Sequence, residues 1–268
     1  MKSLLISGLM LSSMAYAEPL KITVQNFNFS YQNPLGEGSA TSFTRNRLLN
    51  NEVQVKVEKV ENNFHLEVSG AENEEFELKD APSFMTEAET MSVNAFNLTL
   101  ADNLNLNLGS GNFYSKDDSL ELSALSLNCN RDQSLTEEMD QIISGCVKSM
   151  NLDMGKFSSA SVEKTIMHTL ESSMGFVFEK ATLGVSSLDL TSQNGSYKLA
   201  ADVKAQVSGK VKSKGNLNYD PASGVLSVKI SEVKFGFLNI TSKVFDELKK
   251  KESEKLQVKK PYVYYKLK

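Results

Sequence analysis

The 268-residue chain has no tryptophan, only two histidines and two cysteines, and a net charge of −4 at pH 7. So mild a charge gives no electrostatic reason to expect a nucleic-acid partner. Beyond the N-terminal segment there is no run of about 18 apolar residues, so the sequence predicts no membrane-spanning helix. Neither His65, in an alternating strand pattern, nor His168, in a candidate helix, has a serine or cysteine at a spacing that supports a catalytic triad.

Catalytic and metal-binding motifs are also missing. Residues 161–164 and 231–234 both match S-x-x-K, but the KTG element that accompanies this motif in penicillin-binding enzymes is absent. No glycine-rich phosphate loop follows a strand pattern. The acidic cluster at 72–77 lacks the D-x-D-x-D-G loop that arranges ligands around calcium, and a solvated face explains it better. The sequence therefore predicts neither an enzyme nor a cofactor or metal site.

The first residues have the pattern of a cleaved export signal. Lys2 provides a positive start, residues 4–14 are apolar, and Ala15-Tyr16-Ala17 is a small-x-small cleavage site. The apolar stretch is too short for a membrane span, and no cysteine follows it that could carry a lipid. We therefore expect cleavage after Ala17 and a periplasmic or secreted protein.

Cys129 and Cys146 are the two cysteines of the chain. In an oxidising compartment the default interpretation is a disulfide between them. It would close a loop of about 17 residues and contribute on the order of 3 kcal/mol in the chain-entropy model. A metal site is disfavoured because neither histidine lies near them in sequence, and a reactive thiol is the third alternative.

Alternation of apolar and polar residues, the period of a β-strand, dominates the chain. Clear examples are 96–108, 197–219 and 225–237. In the first strand the phase slips between Val24 and Phe27, which predicts a β-bulge. Turn residues at 192–196 and 220–224 predict hairpins within an antiparallel meander. The segment 33–50, rich in Gly, Ser, Arg and Asn, is predicted to be a weakly ordered loop.

Three segments have helical periodicity. Ser134 and Glu137 fit a capping box for a helix over 135–148, inside the expected disulfide loop. Further helices are predicted over 162–174 and 241–251. The predicted fold class is mainly β with a minor α component, in which long, curved antiparallel sheets wrap two or three amphipathic helices. After the signal peptide, 1–17, two β-rich halves are expected, 18–155 and 156–268, as one domain or two.

Long apolar rows on single sheet faces are the main surface feature, notably Leu98–Leu108 and Tyr197–Tyr219. One interpretation packs these rows on each other and on the helices as ordinary core. In the other, part of them lines a groove for an acyl chain, because bulged, curved sheets can form a groove that needs no catalytic residue. The candidate lining residues are Val203, Val207, Leu217, Leu226, Val228, Phe235 and Phe237.

The C-terminal segment is basic, with eight lysines and two glutamates from Lys249 to Lys268. It could attract an anionic lipid head group or membrane surface, each lysine near the surface being worth up to about 1 kcal/mol. Alternatively, the last segment is a solvated edge strand, whose lysines and proline disfavour pairing with other chains and so prevent aggregation. The candidate contacts are Lys249, Lys250, Lys251, Lys259 and Lys260.

Residues 181–267 resemble, in pattern, the end of bacterial periplasmic lipid-binding proteins of the LmeA and tubular lipid-binding (TULIP-like) type. The segment "GNLNYDPASGVLSVKISEVKFGFLNITSKVFDELKKK", followed by "LQVKKPYVYYKLK", is similar to a hairpin that leads to a helix wrapped by a curved sheet, completed by a last strand. The long rows also resemble those of AsmA-like lipid-bridge proteins. The resemblance implies binding of phospholipid or another acyl chain.

The resulting hypothesis is a periplasmic, non-catalytic binding module for lipid or another apolar ligand. The alternative is a structural or interaction protein of the cell envelope, whose apolar rows are fully packed core.

Overall fold

The computed structural model describes residues 21–45, 48–61, 63–70, 74–78, 86–116, 119–159, 184–204 and 208–267. The prediction of a mainly β chain is confirmed, because antiparallel strands account for most of these residues. Within the described part, no helix is long and apolar enough to cross a membrane. In chain order the elements are β1 Ile22–Gln32, β2 Leu35–Arg45, β3 Leu48–Val60, β4 Asn63–Ser69, β5 Glu74–Leu78, β6 Ala88–Leu100, β7 Asn103–Ser115, β8 Ser119–Asn130, α1 Glu138–Lys148, β9 Ser149–Ser159, β10 Gly184–Gln193, β11 Ser196–Lys204, β12 Gly209–Asp220, β13 Val225–Phe235, β14 Leu238–Asn239, α2 Thr241–Lys249, β15 Leu256–Lys259 and β16 Tyr262–Lys266.

The chain divides into two compact units, and the division falls inside β8, between Leu125 and Ser126. In the first unit hydrogen-bonded neighbours follow the order β5-β4-β3-β2-β1-β6-β7. In the second unit the order is β9-β10-β11-β12-β13-β16-β15, and β14 also pairs with β13. Most neighbours are consecutive in the chain, as in a meander, but the β1–β6 and β13–β16 pairs are not.

The first unit confirms the bulge and corrects the loop predicted at 33–50. The register between β1 and β6 shifts on both sides of Phe27, where the apolar phase slips. Residues 35–45 form β2, and its glycines serve packing: a Cβ at Gly36 would lie 2.9 Å from the Phe29 ring, and one at Gly38 would lie 3.1 Å from it. The glycines therefore make room for an aromatic ring across the strand, which local composition does not reveal.

The predicted turns of the second unit are confirmed. Between β10 and β11, Asn194 and Gly195 both have positive φ, 49° and 75°, as a type I′ hairpin turn requires. At the next turn Gly224 has φ 64° and leads into β13. These two turns close the β10–β11 and β12–β13 hairpins and fix the register within each pair.

The helix predicted over 135–148 begins later, at Glu138, with Glu137 at the N-cap and no side-chain cap. The Ser134 hydroxyl instead donates to Asp132 Oδ1 (2.6 Å), and Asp132 also accepts from Ser144 (2.7 Å) and Lys148 (2.5 Å). Lys148 and these hydroxyls hold the pKa of Asp132 well below its usual range. The helix α2 lies within the predicted 241–251, and the helix predicted over 162–174 falls outside the described residues.

The predicted disulfide is confirmed: Cys129 and Cys146 are joined, and Cys129 is 1% exposed. The bridge connects the end of β8 to the last turn of α1. Beside it, Gly145 lets the helix approach the backbone, since a Cβ there would overlap the Asn130 carbonyl group and lie 2.9 Å from Cα of Arg131.

The free backbone edge of β15 is capped from within the chain. The Val258 N–H donates to Glu252 Oε1 (2.8 Å), and the Val258 carbonyl accepts from Lys249 Nζ (3.4 Å). The Leu256 N–H donates to the Ser253 hydroxyl (3.1 Å), and the Leu256 carbonyl accepts from the Ser253 N–H (2.9 Å). The last residue of α2 and the segment after it thus bond the polar groups that β16 leaves unpaired.

Candidate ligand-binding face

One face of the sheet in the second unit carries both helices, and we call it the helix face. On it, Tyr219 of β12 lies opposite Leu226 of β13. Leu226 in turn lies opposite Tyr265 of β16, and Tyr265 opposite Leu256 of β15. Because neighbouring strands are about 4.8 Å apart, these four side chains form a line about 14 Å long.

Five apolar side chains of this face are only half-buried, and we call them the apolar row. The apolar row consists of Leu217, Leu226, Val228, Leu256 and Tyr265. At one end, the Tyr219 hydroxyl donates to Asp140 Oδ1 of α1 (2.5 Å). At the other end, Phe245 and Leu248 of α2 pack on the buried Val258 and Val263. Val228 and Leu256 also pack against this cluster, and all five members of the apolar row remain half-buried.

Tyr219 fixes α1 at the edge of the apolar row. Burial, and then the neighbouring Asp140 carboxylate, raise the pKa of its phenol above the usual range. The phenol therefore stays protonated and donates to the carboxylate across the physiological range. A second bond, from the Ser192 hydroxyl to the Val147 carbonyl (2.5 Å), attaches the last turn of α1 to β10.

The predicted lining residues do not share one environment. Leu217, Leu226 and Val228 are half-buried members of the apolar row. Val203 and Phe235, 2% and 5% exposed, belong instead to a packed cluster. The other buried members of that cluster are Val185, Ala201, Val233 and Ile240.

The remaining two lining residues lie apart from the apolar row. Phe237 is 90% exposed in the turn between β13 and β14, and Val207 falls outside the described residues. The pattern of the sequence did not single out Leu256 and Tyr265 as lining. Their alternation in the last segment was visible, but their place beside Leu226 depends on the pairing of β16 with β13.

The predicted head-group lysines lie around α2 and β15. Lys249 pairs with Glu252 (2.7 Å) and Lys250 with Glu247 (2.7 Å), while Lys260 donates to Ser242 (2.9 Å). Lys251 and Lys259 are exposed. A concavity of about 440 Å³ along β15 is lined by Lys249, Glu252, Ser253, Leu256, Gln257 and Lys259. Leu256 thus belongs both to this basic concavity and to the apolar row.

The opposite face of β11, β12 and β13 is basic, and we call it the lysine face. Lys198 lies directly opposite Lys214, and Lys212 directly opposite Lys234, which are destabilising like-charge pairs. Glu232 offsets part of the repulsion, because its carboxylate lies 2.8 Å from Lys234 Nζ and 3.1 Å from Lys214 Nζ. The lysine face consists of Lys198, Lys210, Lys212, Lys214, Lys229 and Lys234.

Two carboxyl groups beside the lysine face should make the free energy of unfolding depend on pH. Asp189 of β10 lies opposite Asp153 of β9. A hydrogen bond with Asp153, then burial, raise the pKa of Asp189. Because the pKa of Asp189 is higher in the folded than in the unfolded protein, its protonated form stabilises the fold. This stabilisation is fully present below the unfolded-state pKa of about 4, and it is lost as the pH rises through the folded-state pKa. We therefore expect Asp189→Asn to raise the free energy of unfolding at pH 7 and to leave it nearly unchanged at pH 3.5.

The measurement is urea unfolding at both pH values, followed by far-UV circular dichroism. Asp220→Asn is the matched control of opposite sign, because hydrogen bonds from Ser223 and Ala222 lower the pKa of Asp220. It should lower stability at pH 7. A loss of stability at pH 7 in Asp189→Asn would contradict the assignment.

Among the described residues, no group of three or more His, Cys, Asp or Glu side chains is placed to hold a metal ion. Comparison with family models, with curated proteins and with solved structures gives no match to this chain.

Proposed function

We propose that the protein is a periplasmic, non-catalytic module that binds a lipid or another apolar ligand on the helix face. The acyl chain lies along the apolar row, and the sheet curves around its helices to hold it. The head group lies in the basic concavity, where Lys259 is exposed and Lys249 is held in place by its ion pair with Glu252. The observation that carries the proposal is the half-burial of five contiguous apolar side chains.

Physical chemistry supports this arrangement. Each Å² of the apolar row that a ligand removes from water contributes about 25 cal/mol, without any catalytic group. Because Leu256 lines the concavity as well, one elongated amphipathic ligand can contact both the lysines and the apolar row. The resemblance of residues 181–267 to periplasmic lipid-binding proteins points to the same ligand class.

The periplasmic location is part of the proposal. A disulfide between Cys129 and Cys146 supports an oxidising compartment, where such bridges form and persist. N-terminal sequencing of the exported protein tests the expected cleavage after Ala17.

Leu226→Gln tests the ligand site. It places an amide in the middle of the apolar row with little change in volume, so we expect the affinity for a fluorescent fatty acid to fall about tenfold, which corresponds to about 1.4 kcal/mol. Native mass spectrometry of the wild type should show co-purified acyl lipid. Leu35→Gln is the matched control, because Leu35 is 59% exposed in the other unit. A clean apo mass with no fatty-acid uptake by the wild type would falsify the proposal.

The packed cluster around Val203 and Phe235 favours a second candidate function. These side chains are buried against Val185, Val233 and Ile240 as in an ordinary core. A structural or interaction protein of the cell envelope would need only such a core. It predicts that wild-type protein takes up no fatty acid and that Leu226→Gln changes only stability.

A further inference from the structure

Phe237 occupies an unusual position for a large apolar side chain. It is 90% exposed, whereas the next most exposed large apolar residue of the described part, Leu35, is 59% exposed. Exposing a phenylalanine to water gives no folding stability. Apolar material that covered this ring would remove its surface from water, which makes Phe237 a candidate contact.

The turn that carries Phe237 is firmly held. Phe235 and Leu238 pair across it, and both belong to the packed cluster of the second unit. The N–H of Gly236, which has φ 56°, donates to the Lys210 carbonyl (2.9 Å). The aromatic ring is thus presented on a rigid tip, and no rearrangement is needed to expose it.

The surroundings of this tip are cationic. Lys210 is bonded to the turn through its carbonyl, and the pair Lys212 and Lys234 lies next along the strands. Four carboxylates lie on or beside the lysine face: Asp202 pairs with Lys210 (3.5 Å), Glu232 pairs with Lys214 and Lys234, and Asp189 lies opposite Asp153. The six lysines of the face still outnumber them, although the chain as a whole has a net charge of −4. An anionic partner would relieve the repulsion between the facing lysines.

We infer that the β13–β14 turn docks the protein on an anionic lipid surface, with Phe237 inserted at the interface and Lys210, Lys212 and Lys234 against the head groups. A basic patch alone would suit any polyanion, but an exposed phenylalanine gains free energy only where apolar material surrounds it. One apolar anchor combined with basic residues is the usual requirement for reversible membrane binding. The inference rests on the proposed function, which places the protein in the cell envelope. It adds the membrane surface that would supply the lipid ligand or receive it.

The absence of tryptophan from the chain gives a direct test. Phe237→Trp makes a single-tryptophan protein, whose emission should shift to the blue with vesicles of phosphatidylglycerol and phosphatidylcholine but not with phosphatidylcholine alone. Leu35→Trp is the matched control and should not shift. Phe237→Ala should weaken partitioning onto the anionic vesicles about tenfold, and Lys212→Gln with Lys234→Gln should weaken it at low salt.

Two results would overturn the inference. One is an unshifted Phe237→Trp spectrum with anionic vesicles. The other is binding to soluble polyphosphate as tight as to vesicles and unaffected by Phe237→Ala, which would identify a soluble polyanion as the partner. Fatty-acid uptake is measured separately, so uptake without docking removes only this inference, and docking without uptake removes only the proposed function.

Discussion

Replacing Gly145 by alanine should lower the free energy of unfolding of the second unit by about 3 kcal/mol, the upper range for overpacking a closed site. The added Cβ would overlap the Asn130 carbonyl group and press on the Arg131 backbone, and backbone atoms cannot rotate away as a side chain can. Alanine is the better helix former by about 1 kcal/mol, which is too little to offset the clash.

Urea unfolding followed by far-UV circular dichroism measures this loss, and faster reduction of the Cys129–Cys146 bridge by dithiothreitol reports it locally. Gly111→Ala is the control, because the nearest neighbour of its Cβ would be the end of the Leu108 side chain at 3.3 Å, and the Phe113 ring (3.6 Å) and the Ser92 carbonyl oxygen (3.9 Å) lie at ordinary contact distance. That substitution should change stability by much less. Equal stabilities of Gly145→Ala and wild type would show that α1 does not need its close approach to β8.

Removing the disulfide should have an effect of similar size. The double variant Cys129→Ala/Cys146→Ala loses the constraint on a loop whose ends are 17 residues apart, and we expect a loss of about 3 kcal/mol. The measurement is again urea unfolding, with and without dithiothreitol.

Reduction supplies the internal control for the double variant. Wild-type protein should be destabilised by dithiothreitol to nearly the level of the double variant, and the double variant should not respond. If reduction left the wild type unchanged, α1 would be held by its polar contacts alone. Those contacts include the bonds of Asp132, the Tyr219–Asp140 bond and the Ser192–Val147 bond.

Features fixed by neighbouring residues could be predicted from the sequence. The alternation of apolar residues placed most strands, the phase slip at Phe27 marked a bulge, and Asn194-Gly195 marked a hairpin. These predictions succeed because side-chain period and turn geometry are local properties.

Features fixed by distant residues could not be predicted. The glycines of β2 predicted a loop from composition, but in the structure they lie in a strand, against the Phe29 ring of the neighbouring strand β1. The serine expected to cap α1 is used by Asp132 instead. The apolar row includes Leu256 and Tyr265 because β16 pairs with β13, more than thirty residues away in sequence. Period-two patterns say which residues share a face, but strand order decides which become neighbours.

The capped edge of β15 has a consequence for how this protein meets other chains. Exposed strand edges invite a further strand, from a peptide or from a second copy, through main-chain hydrogen bonds. Here Glu252, Lys249 and Ser253 already occupy the groups that such a strand would need. Growth of the sheet by strand addition is therefore blocked at this end, and recognition there depends on side chains. A carboxylate and an ammonium group, rather than proline alone, protect this edge from aggregation.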